Sequence, residues 1–270
     1  MGYGKFDEEQ EMGNIIAPDY DKYDMSSIIE SRVIHSNWKM GFSVNKKVNG
    51  KKLIEEILSE SQSYPRFKND GKFGLINIKN SYSNDDIDKI INVNDIIKHK
   101  FSTTKREDIT TSIKMHYRYD YGTEKYTHDY ELEIETLLPS YNNFITHRYY
   151  LSDLDGHKEI NLKYHTDAST VEKFAKYKLL NECNTHLLVD MTLPLNYMNL
   201  TAGDIIHIPL ISNEKEFADD YSVVHTKNTQ YVYPLWVIME TNIGISSVAI
   251  KAYQLHYLEE GDNHGFEDLY

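Results

Sequence analysis

Residues 109–121 alternate without a break. Ile109, Thr111, Ile113, Met115, Tyr117, Tyr119 and Tyr121 fall on one side, and Thr110, Ser112, Lys114, His116, Arg118 and Asp120 on the other. A period of two over thirteen residues is a strand pattern, because successive side chains of extended backbone point to opposite faces. Tyr130, Leu132, Ile134 and Thr136 alternate in turn with Glu131, Glu133 and Glu135, and Gly122 lies in the connection. The two runs predict a long antiparallel hairpin. Its buried face should carry Ile113, Met115, Tyr117 and Tyr119 against Leu132 and Ile134. Leu187, Val189, Met191, Leu193 and Leu195 form another alternating set. Shorter strand runs cover 73–79, 205–210, 231–240 and 247–257, the last two joined by 241–246 around Gly244.

Two segments read as helix. Over 50–62, Leu53, Ile54, Ile57 and Leu58 make one stripe, with Asn49-Gly50 as the turn or cap before it. Over 169–183, Val171, Phe174, Ala175 and Leu179 make another. Ser169 and Glu172 have capping-box spacing there, and Asp167 is the alternative cap. The regular strand–helix alternation of a doubly wound sheet is absent. The expected fold is α+β and β-rich. A small αβ unit over 41–105 precedes an antiparallel β-barrel-like domain over 106–258 with one inserted helix. Residues 1–40, rich in Asp and Glu and interrupted by Pro18, read as an irregular acidic segment of loops and short turns, and 259–270 as an acidic tail.

Composition narrows the partners. At 40% apolar and 26% charged, the chain is too apolar for disorder and too polar to span a membrane. Its net charge of −13 repels phosphate backbones, and Lys46-Lys47 and Lys105-Arg106 are too short to form a basic patch, so specific nucleic-acid binding is not expected. One cysteine, Cys183, excludes an intramolecular disulfide framework. Without a signal-like N-terminus, the chain is expected to mature in a reducing cytoplasm. Tyrosine is unusually abundant, at 22 against 2 tryptophans, which suits half-buried strands and interfaces.

The sharpest catalytic candidate is His165-Thr166-Asp167 with His225 downstream, the ligand pattern of a non-haem Fe(II) facial triad. Against it stand a helix directly after Asp167, where such enzymes continue in strands, and the lack of an arginine in the run after His225. The reading is therefore that no metal and no cofactor is bound, with the triad as the alternative. There is no G-x-S-x-G elbow and no phosphate loop. Cys183 has no positioned base and reads as a core thiol. Glu131, Glu133 and Glu135 read as a solvated or salt-bridged strand face, with a cation site as the alternative.

A longer pattern remains. Leu53-Ile54-Glu55-Glu56-Ile57 is followed by Phe67-Lys68-Asn69-Asp70-Gly71-Lys72-Phe73-Gly74-Leu75. Then come Ile91-Asn92-Val93-Asn94-Asp95-Ile96-Ile97, Thr104-Lys105-Arg106-Glu107-Asp108-Ile109 and the strand over 113–121. After the 169–183 helix, Thr192-Leu193-Pro194-Leu195-Asn196-Tyr197-Met198-Asn199-Leu200 runs into Gly203-Asp204-Ile205-Ile206, then Tyr233-Pro234-Leu235-Trp236-Val237-Ile238, and finally Ala252-Tyr253-Gln254-Leu255-His256. Over about 40–258 this order resembles the tail-tip or baseplate-hub proteins of tailed bacteriophages, especially the C-terminal part of their large tail proteins. Members are commonly longer, so the chain reads as a fragment, a split gene product or a compact version.

The resemblance implies a β-barrel hub whose motif residues here are Asp70, Gly71, Lys72, Gly203, Asp204 and Trp236. It implies scaffold rather than enzyme, with no catalytic residues to carry over. It further implies a virion component, assembled in the host cytoplasm, that joins the tail tube to a spike or receptor-binding parts. Partners would be copies of itself, as a trimer, and other tail proteins, and DNA would pass through the assembled ring. Two rivals come from other classes. One is the Fe(II) oxygenase using His165, Asp167 and His225; the other is a β-rich module binding sugars on exposed tyrosines.

Overall fold

The computed structural model describes residues 20–44, 47–80, 82, 84–137, 156–183, 186–208, 226–227, 230–231 and 235–255. Among the described residues the α-helices are, in chain order, α1 (Met25–Ile34), α2 (Gly50–Ser59), α3 (Ile134–Leu137) and α4 (Ala168–Glu182). The strands are β1 (Ser63–Phe67), β2 (Phe73–Asn77), β3 (Lys89–Ile90), β4 (Lys98–Thr103), β5 (Ser112–Asp120), β6 (Lys125–Glu133) and β7 (His157–Asn161). They continue with β8 (Leu187–Pro194), β9 (Ile205–His207), β10 (Thr226–Lys227), β11 (Gln230–Tyr231), β12 (Leu235–Ile243) and β13 (Ser247–Gln254). The α+β, β-rich class expected from the sequence is what the chain adopts.

β5 sits at the centre of a three-stranded sheet, antiparallel to β6 and parallel to β7. Ile113 pairs with Leu132 and Met115 with Tyr130, which sets the expected register. Ile113, Met115 and Tyr117 are 1%, 0% and 7% exposed. They share one apolar cluster with Val171, Phe174, Ala175 and Leu179 of α4. Each such buried side chain stabilises the fold by roughly 1.5–3 kcal/mol. Tyr119, nearer the hairpin end, is half-buried. The opposite face is polar, with Lys114 Nζ 2.8 Å from Glu131. β6 stops at Glu133 instead of running on to Thr136. Ile134 and Leu137 are both buried, and a spacing of three brings both inward only on a helical turn, hence α3.

The larger sheet has six strands in the order β3-β9-β12-β13-β8-β4, antiparallel except for the β3–β9 pair. One face buries Val189, Met191 and Leu193 with Val248, Ile250, Trp236 and Ile206 in a second cluster. Part of the other face, with Leu235 and Val237, joins the α4 cluster. Among the described residues this sheet is open, so the expected barrel does not close. Its edges are β4 and the two-residue β3, and the latter is too short to make the staggered pairing that closure requires.

β3 and β4 lie within 41–105 yet pair with strands from beyond residue 106, so the 105/106 division cuts one sheet. Within the segment expected to be irregular, Met25–Ile34 is helical. Its seam against β2 is polar: Ser27 Oγ accepts from Leu75 N–H (3.0 Å) and Asn77 Nδ2 donates to the Ser27 carbonyl (2.8 Å). Hydrophobic periodicity cannot reveal such a helix. At α2, Asn49 Oδ1 caps the Lys52 N–H at 3.3 Å. At α4 the N-cap position belongs to Asp167, not to a Ser169–Glu172 box, and Asp167 makes no side-chain cap bond.

Candidate functional site

The H-x-D pair stands at the entry to α4, and its two side chains lie in different surroundings. His165 is fully buried, its ring stacked 5.5 Å from Phe174 and tilted against Trp38 at 5.8 Å. Its Nε2–H donates to the Glu60 carbonyl at 2.8 Å, while Nδ1 is buried without a hydrogen-bond partner. Asp167 is about one-third exposed, 3.8 Å from Lys39 Nζ. His225 lies outside the described residues. Among the described residues, no group of three or more His, Cys, Asp or Glu side chains converges on a point where an ion could sit.

Glu60, which no sequence pattern marks, is the buried carboxylate of this region, 7% exposed at the C-terminus of α2. It accepts from the Lys163 and Tyr164 amides at 2.8 and 2.9 Å. Burial pushes its pKa up to about 7, against the pull of those two amides. An acid at a helix C-terminus opposes the macrodipole, and that was the only available sign that it serves a tertiary contact. Burial also lowers the pKa values of His35 and His165.

The motif residues fall into one connected region. Asp70-Gly71-Lys72 forms the turn between β1 and β2: Gly71 has φ +82° and Asp70 Oδ1 accepts from Lys72 N–H at 3.1 Å. Gly203 has φ +92°, and a β-carbon there would come within 2.8 Å of Arg66 Cζ. The Arg66 guanidinium donates to the Ala202 carbonyl and, at 3.0 Å, to Asp24 Oδ2. Asn69 Nδ2 donates to the Leu200 carbonyl at 2.9 Å. The β1–β2 hairpin is thus clamped onto the 200–204 turn.

Burial alone would raise the Asp24 carboxyl, but Ser26, Lys68 and Arg66 outweigh it and hold the pKa near 2. Asp204 accepts from the Thr201 N–H at 2.8 Å, and burial raises its pKa. Trp236 is fully buried in β12, paired with Ile206 and Gln254. Sequence reasoning found the two glycine turns but missed Arg66 and Asp24, which join them.

Nucleophilic chemistry finds little footing. Cys183 is buried beside the Leu180 carbonyl, and burial pushes its thiol up to about 12. Ser112 Oγ lies 2.9 Å from His157 Nδ1 as cross-strand neighbours of β5 and β7. The other ring nitrogen lies 4.0 Å from the Glu159 carboxylate, beyond hydrogen-bond reach.

One end of the six-stranded sheet is apolar and open to solvent. Ile97, Leu195, Ile243 and Ile245 are 61%, 37%, 47% and 100% exposed there. Register brings them together: Ser247 pairs with Pro194, Ile243 with Val248, and Ile97 N–H donates to the Thr192 carbonyl.

No protein-family model matches the chain, and no curated protein matches it. Solved structures show a likeness. One is a chain of the virion of a native gene transfer agent particle, at 8% identity and TM-score 0.44, over 80% of this chain and 42% of that one. A second is a tail protein from Neisseria meningitidis MC58, at 8% identity and TM-score 0.45, over 86% of this chain and 67% of that one. A third is the 43 kDa tail protein of prophage MuSo2 from Shewanella oneidensis, at 6% identity and TM-score 0.43, over 79% and 57%. The likeness is to tail and virion proteins. This chain spans between about two-fifths and two-thirds of their lengths.

Proposed function

We propose that this chain is a structural subunit of a bacteriophage tail, placed at the hub or tip that joins the tail tube to spike or receptor-binding parts. It acts as scaffold rather than enzyme, resides in the virion, and assembles with copies of itself as a ring of three and with other tail proteins. The observation that carries this reading is the apolar end of the six-stranded sheet. Large apolar side chains grouped in solvent mark a surface meant for a neighbour, and Ile245 is wholly exposed at the β12–β13 turn. The ordered sequence resemblance supplies the kind of neighbour. The long strands and the clamp between the hairpin and the 200–204 turn suit a rigid part that transmits force. No helix among the described residues is long and apolar enough to cross a membrane.

The direct experiment is antibody labelling of tailed particles that carry this chain, viewed by electron microscopy. Label at the end of the tail distal to the head is expected. Label on the capsid, or particles without label, would contradict the reading.

A further inference from the structure

Helix α1 shows an apolar side to solvent. Its seam against β1 and β2 is made by Ser27 and Ser31. Met25, Ile29 and Val33 recur every four residues, so they lie on one stripe, and the last two are 56% and 68% exposed. The charged residues of α1 leave that stripe open. Glu30 is turned to Lys79, 2.7 Å away. Arg32 is exposed at the rim, where its stem covers apolar surface while its head stays in water.

At the start of α1 the stripe runs into aromatic rings. Tyr23 meets Phe73 edge-on at 6.4 Å, and Phe73 meets Phe67 at 5.5 Å across the β1–β2 hairpin. Phe67 is 72% exposed. Phe67, Phe73, Tyr23, Met25, Ile29 and Val33 thus form one strip, and apolar groups gathered in water mark a surface meant for a neighbour. The hairpin turn touches the six-stranded sheet, where Thr241 Oγ1 donates to Asn69 Oδ1 at 3.4 Å. From there α1 runs along β2 towards Asn77 and Ser63. The strip therefore starts beside the apolar end of that sheet, shares no residue with it and leads away from it.

Symmetry supplies the occupant. In a closed ring of three, each contact away from the axis joins two different surfaces, one from each neighbour. The apolar end of the sheet is one such surface, and the strip is a second of the same chemistry on the same chain. The six residues of the strip and Ile97, Leu195, Ile243 and Ile245 carry no charge, so nothing in them selects a partner of opposite sign. A helix stripe leaves hollows between its side chains, and these accept aliphatic knobs. Phe42, Val44 and Val48 are also exposed, but they lie outside any helix or strand and lack that regular spacing.

We propose that the subunits join head to tail: the apolar end of one copy, led by Ile243 and Ile245, packs on the α1 strip of the next. The inference rests on the ring-of-three reading and adds the surface on which each copy receives its neighbour.

The test is cross-linking with a short bismaleimide at neutral pH, on full chains co-expressed as two variants, Ile29→Cys and Ile245→Cys. Cys183 does not compete, because its thiol is buried and pushed up to about 12. Each variant alone should give only monomer on a denaturing gel. The co-expressed pair should give a covalent dimer, and a chain with both cysteines a covalent trimer. Dimer from Ile245→Cys alone would mean that the apolar ends meet each other on the axis, and would overturn the proposal. So would a pair that stays unlinked although light scattering shows the parent to be a trimer. In addition, an Ile29→Lys, Val33→Lys variant should lose the trimer while keeping the parent's melting curve. A trimer that persists in that variant overturns the head-to-tail contact and leaves the ring reading standing, whereas a monomeric parent overturns both.

Discussion

The guanidinium of Arg66 lies against Gly203, its Cζ 2.8 Å from where a β-carbon at residue 203 would stand. Residue 203 thus needs glycine twice over, for its φ of +92° and for the space that the arginine occupies. Gly203→Ala should destabilise the protein by about 2 kcal/mol or more, from backbone strain and displacement of the guanidinium. Urea unfolding should show a lower midpoint with an unchanged slope.

Arg66 and Asp24 are 10% and 8% exposed as a pair. Arg66→Met leaves the buried Asp24 with only the Ser26 hydroxyl and Lys68 beside it and should cost about 3–5 kcal/mol. Asp24→Asn should cost less, because the amide keeps a hydrogen bond to Arg66. Asp24 also sets an acid limit. Its folded pKa is about 2 against an ordinary 3.8, so its stabilisation is present above about pH 4 and lost as pH falls towards 2. In Asp24→Asn, thermal unfolding should be flatter over that interval than in the parent.

Glu60 works in the opposite sense. Its folded pKa is raised to about 7 from 4.5. The folded state therefore holds the proton more tightly, and its contribution fades as pH rises from about 4.5 through 7. His35 and His165, with lowered values, push stability upward with pH below their unfolded value of 6.5. Glu60→Gln removes only the first effect. Relative to the parent, that variant should be more stable at pH 8 than at pH 5, and melting curves at both pH values read the difference. An unchanged offset would mean that Glu60 titrates normally.

Cys183, with a buried thiol raised to about 12, should resist iodoacetamide at pH 8 in the folded protein and react only on unfolding. Mass spectrometry with and without denaturant distinguishes the two rates.

How much the sequence disclosed depended on which pattern each element carries. β5 was legible because Ile113, Met115 and Tyr117 alternate with polar residues and one sheet face is buried. α4 was legible because Val171, Phe174, Ala175 and Leu179 mark one apolar stripe. α1 was not, because Ser27 and Ser31 make its inward contacts, with Ser31 Oγ 3.0 Å from Ser63 Oγ. The turn glycines Gly71 and Gly203 could be picked out. That Arg66 reaches Asp24 and Ala202, 42 and 136 positions away, is a tertiary fact that local pattern does not encode. Barrel closure failed for a related reason: strand runs predict strands, but closure depends on whether edges such as β3 are long enough to meet a partner.

The proposed role requires that this chain assemble through the apolar end of its six-stranded sheet. Light scattering of the purified protein at high micromolar concentration, repeated at low and high salt, tests it most directly. A trimer that persists at high salt is expected, since an apolar interface is little screened, and it should fall to monomer in an Ile243→Lys, Ile245→Lys variant that keeps the parent's melting behaviour. A parent that stays strictly monomeric, with no larger species even when other tail proteins are added, would rule out assembly through this surface.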